Sequence, residues 1–238
     1  MANEYSKLWF EVFMKGKNVS DTEIEVNFLK KHLPISNYKK ILDLCCGYGR
    51  HSNMLGEYGY NVLGIDRDED ALIKAEKSAN KNVEYFSYDM RNIEKLPYSF
   101  DGIISMWHSF GYFNDDVNNS IIRQTSSLLN KSGRFILDIY NKDFFEKNVG
   151  KREFTKENLL IKEEVKKEGN RFNVTLSYDN TNIIDEFNWY LYSKDEIINL
   201  CKEYSLICKT VCTWCDDGQA IDENTPRMQL VFEKKLIN

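Results

Sequence analysis

The 238-residue sequence predicts an α/β fold, a doubly wound, mostly parallel sheet with a small antiparallel sheet inserted as a lid. Three observations predict it. Between residues 41 and 140, short β-rich runs alternate with helical patterns, the signature of βαβ units whose sheet is covered on both faces. The first of these runs carries Asp43 and leads into a turn holding Gly47 and Gly49, where a missing Cβ lets the backbone bend sharply and approach a ligand. Further on, Phe172, Val174, Leu176 and Tyr178 alternate with Arg171, Asn173, Thr175 and Ser177, which reads as an antiparallel strand with one apolar face.

Taken in order, Glu4 to Leu33 has a helical pattern in which Tyr5, Trp9, Phe10 and Phe13 recur near one turn apart. Strands are expected at 41–44, 61–65, 83–87, 100–106 and 134–139. Between them, 68–79 places Ala71, Leu72 and Ala75 at helical spacing, and 115–130 does the same with Ile121, Ile122, Leu128 and Leu129 before a Ser132-Gly133 stop. Strands at 159–165, 171–178 and 183–192 follow, with a turn at Glu168-Gly169-Asn170. A helix at 194–204 and strands at 206–212 and 227–234 close a seven-stranded main sheet whose last strand is antiparallel. The expectation is one domain, with an N-terminal helical cap over 1–37, a core over 38–145 and 193–238, and the inserted sheet over 150–192.

A net charge of -5 and a pI near 5.4, without a Lys/Arg cluster, argue against a nucleic-acid partner. The start lacks a basic region followed by an apolar segment, and no run of about 18 apolar residues occurs, so the expected location is cytoplasmic, without a membrane partner. Six cysteines read as reduced thiols, because Cys45 and Cys46 are adjacent and the other four fall in one C-terminal stretch. Cys212-Thr-Trp-Cys215 has neither a second pair nor a nearby histidine, so no metal is expected. Oligomeric state is left unspecified, the exposed edge of an inserted sheet being the feature that would pair chains.

The motif with most chemical content is Ile41-Leu-Asp-Leu-Cys-Cys-Gly-Tyr-Gly-Arg50. A dinucleotide fingerprint would need a third glycine where Ser52 stands, and Asp43 would repel a pyrophosphate while suiting a ligand's ammonium group. One strand-helix-strand unit later, Asp66 ends Val62-Leu-Gly-Ile-Asp66, placed to accept hydrogen bonds from both hydroxyls of a ribose; Asp68, just beyond, suits the cap of the next helix. Tyr88-Asp89-Met90 follows the third strand at the same interval. In open α/β sheets ligands bind at this carboxyl edge.

These residues resemble the motifs of class I S-adenosylmethionine-dependent methyltransferases, with Cys45 at the position of the first loop glycine. The resemblance spans about residues 38 to 145 and continues more weakly to the C-terminus. It implies a Rossmann-like fold and S-adenosyl-L-methionine as cofactor. It further implies cofactor contacts from Asp43, Cys45, Gly47 and Gly49, with Asp66 on the ribose, Asp89 on the adenine amino group and Met90 over the ring. Met106, at the end of the fourth strand, joins this set, and an N-terminal helix folded over the cofactor would bring Tyr5 or Trp9 beside it.

The stretch from Phe100 to Phe113 runs from a strand into an aromatic loop and lacks the Asn/Asp-Pro-Pro-Tyr/Phe tetrapeptide of many base and glutamine N-methyltransferases. Its His-Ser-Phe-Gly-Tyr form resembles small-molecule methyltransferases, including those acting on amino sugars and related amines. Aromatic faces attract a sulfonium or an amine, at about 0.5 to 2 kcal/mol per contact. Trp107, His108 and Tyr112 are lining candidates, and His108 and Tyr112 the catalytic ones, since an unperturbed histidine suits a base near neutrality. Tyr190, in Asn188-Trp-Tyr-Leu-Tyr192, is a further lid residue whose face alternation alone leaves open. The expected activity is methyl transfer from S-adenosylmethionine to a nitrogen or oxygen of a small-molecule acceptor. Its competitors are an NAD-dependent oxidoreductase, which would share Asp66, and a non-catalytic S-adenosylmethionine-binding module.

Overall fold

The computed structural model describes residues 5–14 and 19–235. Glu4, residues 15–18 of the expected helical segment, and the outermost residues of the expected cap and core lie outside the described residues. A short helical turn α1 (Lys7–Trp9) continues as a π-helical turn over Phe10–Met14 and is followed by α2 (Val19–His32). The alternating core follows as β1 (Lys40–Leu44), α3 (Arg50–Glu57), β2 (Asn61–Asp66), α4 (Glu69–Glu76), β3 (Val83–Ser87), a 3-10 turn (Met90–Lys95), β4 (Phe100–Ser105), α5 (Asp115–Leu128) and β5 (Leu129–Tyr140). Then come α6 (Lys142–Lys147), the lid strands β6 (Gly150–Lys156), β7 (Leu159–Glu168), β8 (Arg171–Tyr178) and β9 (Ile184–Tyr190), then α7 (Lys194–Glu203), β10 (Leu206–Cys212) and β11 (Arg227–Lys234).

Among the described residues the strands form a seven-stranded sheet in the order β10-β11-β5-β4-β1-β2-β3 and a four-stranded sheet in the order β6-β7-β8-β9. β1 pairs in parallel with both β2 and β4, and β11 runs antiparallel between β5 and β10. The chain thus reverses its direction of travel across the sheet between β1 and β4, which opens a crevice at their carboxyl ends.

Strand alternation sends side chains to two apolar layers. Leu42, Leu44, Ile103, Phe135, Leu137 and Phe232 belong to one cluster, Ile41, Ile104, Ile136 and Val231 to the other. A third cluster joins Trp9 and Val12 to Phe172, Val174, Phe187 and Trp189 of the lid and to Phe145 of α6. Asp185 on β9 fixes this docking: it accepts from Ser6 N–H at 2.7 Å, Ser6 Oγ–H at 2.8 Å and Tyr178 O–H at 2.6 Å. Helix starts follow the local chemistry. Asp68 accepts from Ala71 N–H at 3.0 Å, and Ser193 with Glu196 forms a capping box.

Several boundaries differ from the expectation. The Ser132-Gly133 stop lies inside β5, because Ser132 takes a left-handed φ of 58° and the pairing with β4 jumps from Phe100↔Leu129 to Gly102↔Arg134. The lid has a fourth strand, β6, absent from the expectation. Gly150-Lys-Arg-Glu-Phe-Thr-Lys156 is an edge strand without a buried residue, so no apolar alternation marks it. Helix α6 is likewise new, a short element starting at an Asn141 cap. On β9 the buried positions are Asp185, Phe187 and Trp189, so Tyr190 lies on the opposite face, where its hydroxyl accepts from Asn170 Nδ2 at 3.2 Å.

Candidate active site

The loop after β1 turns through Cys45 (φ 58°), Gly47 (φ 53°) and Gly49 (φ 72°), all left-handed. A Cβ added at Gly47 would meet nothing within 4 Å, so the backbone there borders open space, whereas one at Gly49 would lie 2.1 Å from Tyr85 Oη. One glycine leaves room and the other allows close packing. Gly47 N–H donates to Asp66 Oδ2 at 2.9 Å, joining the loop to the end of β2, and Asp68 N–H donates to Asp66 Oδ1 at 3.0 Å. Cys45 Sγ–H points at Met90 Sδ at 3.4 Å, which brings the third strand's exit beside the same loop. Asp89 accepts from the backbone N–H and guanidinium of Arg91, and this pairing holds its carboxyl below the usual range.

Asp43 is 1% exposed and accepts from Ser52 Oγ–H at 2.6 Å. Burial raises its pKa to about 7, with the Ser52 hydrogen bond and the Arg50 charge opposing. Arg50 opens α3 directly after Gly49. Its Nη1 reaches Thr22 Oγ1 at 3.2 Å and the Glu25 carboxylate, its guanidinium lies 5.3 Å from the Trp107 ring centre, and its Nη2 is buried without a hydrogen-bond partner among the described residues. Glu25 also accepts from His51 Nε2 at 2.9 Å and Trp107 Nε1–H at 2.8 Å. Burial pushes the Glu25 carboxyl up, but His51 and Arg50 together outweigh it and hold it well below the usual carboxylate range.

The loop after β4 carries two successive left-handed residues that are not glycine, Trp107 (φ 63°) and His108 (φ 56°). Such a pair costs on the order of 1 to 3 kcal/mol per residue and persists only where the surroundings hold it. Asp138 and Tyr140 of β5 do so. Asp138 Oδ2 accepts from Trp107 N–H at 3.0 Å and Asp138 O from His108 N–H at 2.9 Å, while Tyr140 N–H donates to His108 Nδ1 at 3.0 Å. Asp138 is itself engaged by Arg227 and by Gln229 Nε2–H at 2.8 Å, and the Arg227 guanidinium stacks 4.1 Å from the Trp107 ring centre. Gly111 (φ 107°) then passes so close to β9 that a Cβ would lie 2.6 Å from Tyr190 O, and its own carbonyl accepts from Tyr190 N–H at 2.8 Å.

Above this loop, aromatic rings converge from four parts of the chain. The Tyr5 and Tyr112 hydroxyls are 2.6 Å apart, and Tyr5 lies 4.4 Å from Trp9 and 4.8 Å from Phe187, centre to centre. Trp189 lies 5.3 Å from His108 and 4.6 Å from Tyr140. Burial raises the Tyr112 and Tyr140 pKa values and, with Arg227 nearby, lowers that of His108 well below the ordinary histidine value.

The residues singled out in the sequence therefore fall into two groups. Asp43, Cys45, Gly47, Gly49, Asp66, Asp89 and Met90 gather at the carboxyl ends of β1 to β3. His108 and Tyr112 join Tyr5 and Trp9 under the lid. Met106 is buried in the cluster that holds Ile104 and Ile136. Sequence reasoning missed Glu25, Asp138, Arg227, Trp189 and the role of Arg50. Only Arg50 and Asp138 carried a signal, the first by following Gly49 and the second by ending a strand at the ligand edge. Among the described residues no group of three or more His, Cys, Asp or Glu is arranged to hold a metal, and no helix is long and apolar enough to cross a membrane.

Comparison with known proteins bears on the same segment. A family model described as a methyltransferase domain matches residues 41–133. A glycine/sarcosine N-methyltransferase from Aphanothece halophytica is 28% identical over 133 residues, 54% of this chain and 49% of that protein. The chain spans about half the length of the curated relatives it matches. An S-adenosylmethionine-dependent methyltransferase from Clostridium acetobutylicum superposes with a TM-score of 0.78 at 16% identity, covering 96% of each chain. An amino pentose methyltransferase from Micromonospora echinaspora, solved with S-adenosylmethionine bound, gives 0.67 at 15% identity over 99% of this chain and all of that one. Residues 41–133 thus match a methyltransferase-domain model, and the chain shares the fold of the S-adenosylmethionine-dependent methyltransferase on which it superposes.

Proposed function

We infer that the chain transfers the methyl group of S-adenosylmethionine to a small-molecule acceptor, with cap, core and inserted sheet acting as one catalytic unit. The observation that carries this reading is the pairing of opposite hooks around the β1 loop: a buried Asp43 carboxyl and a buried Arg50 Nη2 without a partner among the described residues, close enough for the Arg50 charge to lower the Asp43 pKa against its burial. An ammonium and a carboxylate on one ligand, the amino-acid end of S-adenosylmethionine, complement that pair. The open space at Gly47 admits the chain between them, and Asp66 stands where a ribose would be read. A pyrophosphate, by contrast, would face the Asp43 carboxylate. This favours S-adenosylmethionine over NAD.

When bound, the cofactor supplies a methyl already made electrophilic by its sulfonium. What the chain contributes is position: aromatic faces of Tyr5, Trp9, Tyr112 and Trp189 that attract a cationic or amine group, and exclusion of water by the lid. An amine is the acceptor we favour, because it brings its own lone pair and needs only to arrive unprotonated. The acidic net charge makes a nucleic acid the poorer partner. Isothermal calorimetry with S-adenosylmethionine and NAD, followed by a screen of amines, hydroxy compounds and transfer RNA for S-adenosylhomocysteine release, tests the reading. NAD binding without S-adenosylmethionine binding refutes it, and tight cofactor binding without turnover of any acceptor leaves a binding module instead.

A further inference from the structure

The two nitrogens of His108 are in different situations. The side chain is buried, 3% exposed, and Nδ1 accepts from the backbone N–H of Tyr140 at 3.0 Å. A backbone amide can only donate, so Nδ1 presents its lone pair there, and the proton of the neutral ring must sit on Nε2. Nε2 has no hydrogen-bond partner among the described residues. Burial and the nearby Arg227 charge keep the ring neutral at physiological pH. A ring in this state has no free lone pair with which to take a proton. It offers one N–H donor.

A second donor stands beside it. The indole of Trp189, 4% exposed, lies edge-on to His108 at 5.3 Å between ring centres, and its Nε1–H faces the Tyr5 hydroxyl. Buried N–H groups are nearly always paired, by protein, water or ligand, so the unpartnered Nε2–H of His108, in an aromatic cluster beside the proposed methyl-transfer site, suits an acceptor atom from outside the chain. Neither donor is charged. The backbone restraint on His108 also fixes its ring, because residues 107 and 108 are held in left-handed conformations by β5.

We propose that the Nε2–H of His108 receives an oxygen atom of the methyl acceptor, so that the substrate class is an amine bearing a neighbouring hydroxyl or carboxylate oxygen. His108 is then a specificity-determining residue, and the base role expected from the sequence does not belong to it. This rests on the methyltransferase reading above.

Two measurements on the full chain test it. The sequence holds three histidines, so nitrogen-15 NMR of histidine-labelled protein at pH 7.5, with His108 assigned through the His108→Gln variant, reads the tautomer directly. An Nε2–H ring is expected, and an Nδ1–H or doubly protonated ring overturns the proposal. Methylation is then followed as S-adenosylhomocysteine release on matched probes: ethanolamine and glycine against propylamine. The oxygen-bearing probes are expected to exceed propylamine at least tenfold in kcat/KM, a preference that falls to within about threefold in His108→Phe and returns in part in His108→Gln, whose amide keeps a donor at that end. Preference for ethanolamine or for glycine separates a hydroxyl from a carboxylate source. If propylamine serves as well as the others, if His108→Phe keeps the preference, or if the chain binds S-adenosylmethionine yet methylates no oxygen-bearing probe, the proposal is overturned. Should calorimetry detect no S-adenosylmethionine binding, the methyltransferase reading fails with it, whereas the tautomer result still stands as a property of the ring. Far-ultraviolet circular dichroism of each variant separates lost preference from lost fold.

Discussion

Replacing Asp43 by Asn should stabilise the ligand-free chain and abolish cofactor binding. Burial raises the Asp43 pKa from the ordinary carboxylate range to about 7, with the Ser52 hydrogen bond and the Arg50 charge opposing. The native state therefore holds this proton more tightly than the unfolded chain does. Below about pH 4 both states are protonated and the group favours neither. As pH rises from about 4 to about 7 the unfolded chain gives up the proton first, so native stability falls, and above about 7 the loss levels off. With each tenfold in proton affinity worth about 1.4 kcal/mol, the full loss is about 4 kcal/mol. Asparagine keeps the shape and the acceptor for Ser52 but cannot ionise, and its buried NH2 offsets part of the gain. The expected advantage of Asp43→Asn is thus about 2 to 4 kcal/mol at pH 8, shrinking towards zero at pH 4. Urea unfolding at pH 4, 5, 6, 7 and 8 without ligand, compared between the two proteins, reads it, and the comparison cancels other titrations. A difference that stays flat across that range, or a less stable variant at pH 8, would refute the reasoning.

Four other outcomes are expected. Asp66→Ala should weaken S-adenosylmethionine binding by roughly tenfold to a hundredfold in calorimetry, the equivalent of one charge-assisted hydrogen bond. Gly47→Ala and Gly49→Ala should part company: the first costs about 1 kcal/mol for its left-handed φ but folds and loses cofactor affinity, because its Cβ enters open space, whereas the second loses more stability, because its Cβ also meets Tyr85 at 2.1 Å; thermal unfolding and calorimetry together distinguish them. Glu25→Ala leaves Arg50 and His51 buried without their shared carboxylate and should cost about 3 to 5 kcal/mol in urea unfolding. In a double-mutant cycle, Tyr5→Phe and Tyr112→Phe should couple by about 1 kcal/mol through their 2.6 Å hydroxyl contact, and additivity would mean that the contact contributes nothing.

The main sheet was legible because its strands are apolar runs separated by helix-period segments, and every expected strand between residues 41 and 140 has a counterpart within a few residues. What escaped was the material whose periodicity carries no burial. β6 is a charged edge strand, and β5 begins early through a bulge at Ser132, where turn-forming residues serve inside a strand. The same distinction divides the candidate site. Asp43, Gly47, Gly49, Asp66 and Asp89 sit at fixed places after strands, so a local reading finds them. Glu25, Asp138 and Arg227 are single charged residues far apart in sequence, brought together by helix and strand packing that no spacing encodes. On β9, alternation showed that Trp189 and Tyr190 face opposite ways, but choosing the inward one required the lid to be docked against Tyr5 and Trp9.

The Asp138 junction also sets an order of assembly. The ends of β1, β2 and β3 are joined by contacts between near neighbours in sequence, such as Gly47 with Asp66, 19 positions apart. The aromatic loop is different: its two left-handed residues lean on Asp138, and Asp138 finds Arg227 only when β11 slides between β5 and β10, 89 positions further along the chain. Long-range pairings of that kind form slowly, since chain entropy is lost before any contact compensates for it. The edge that joins Gly47 to Asp66 can thus take shape early in folding, while the aromatic loop matures last, when the strand that closes the sheet arrives.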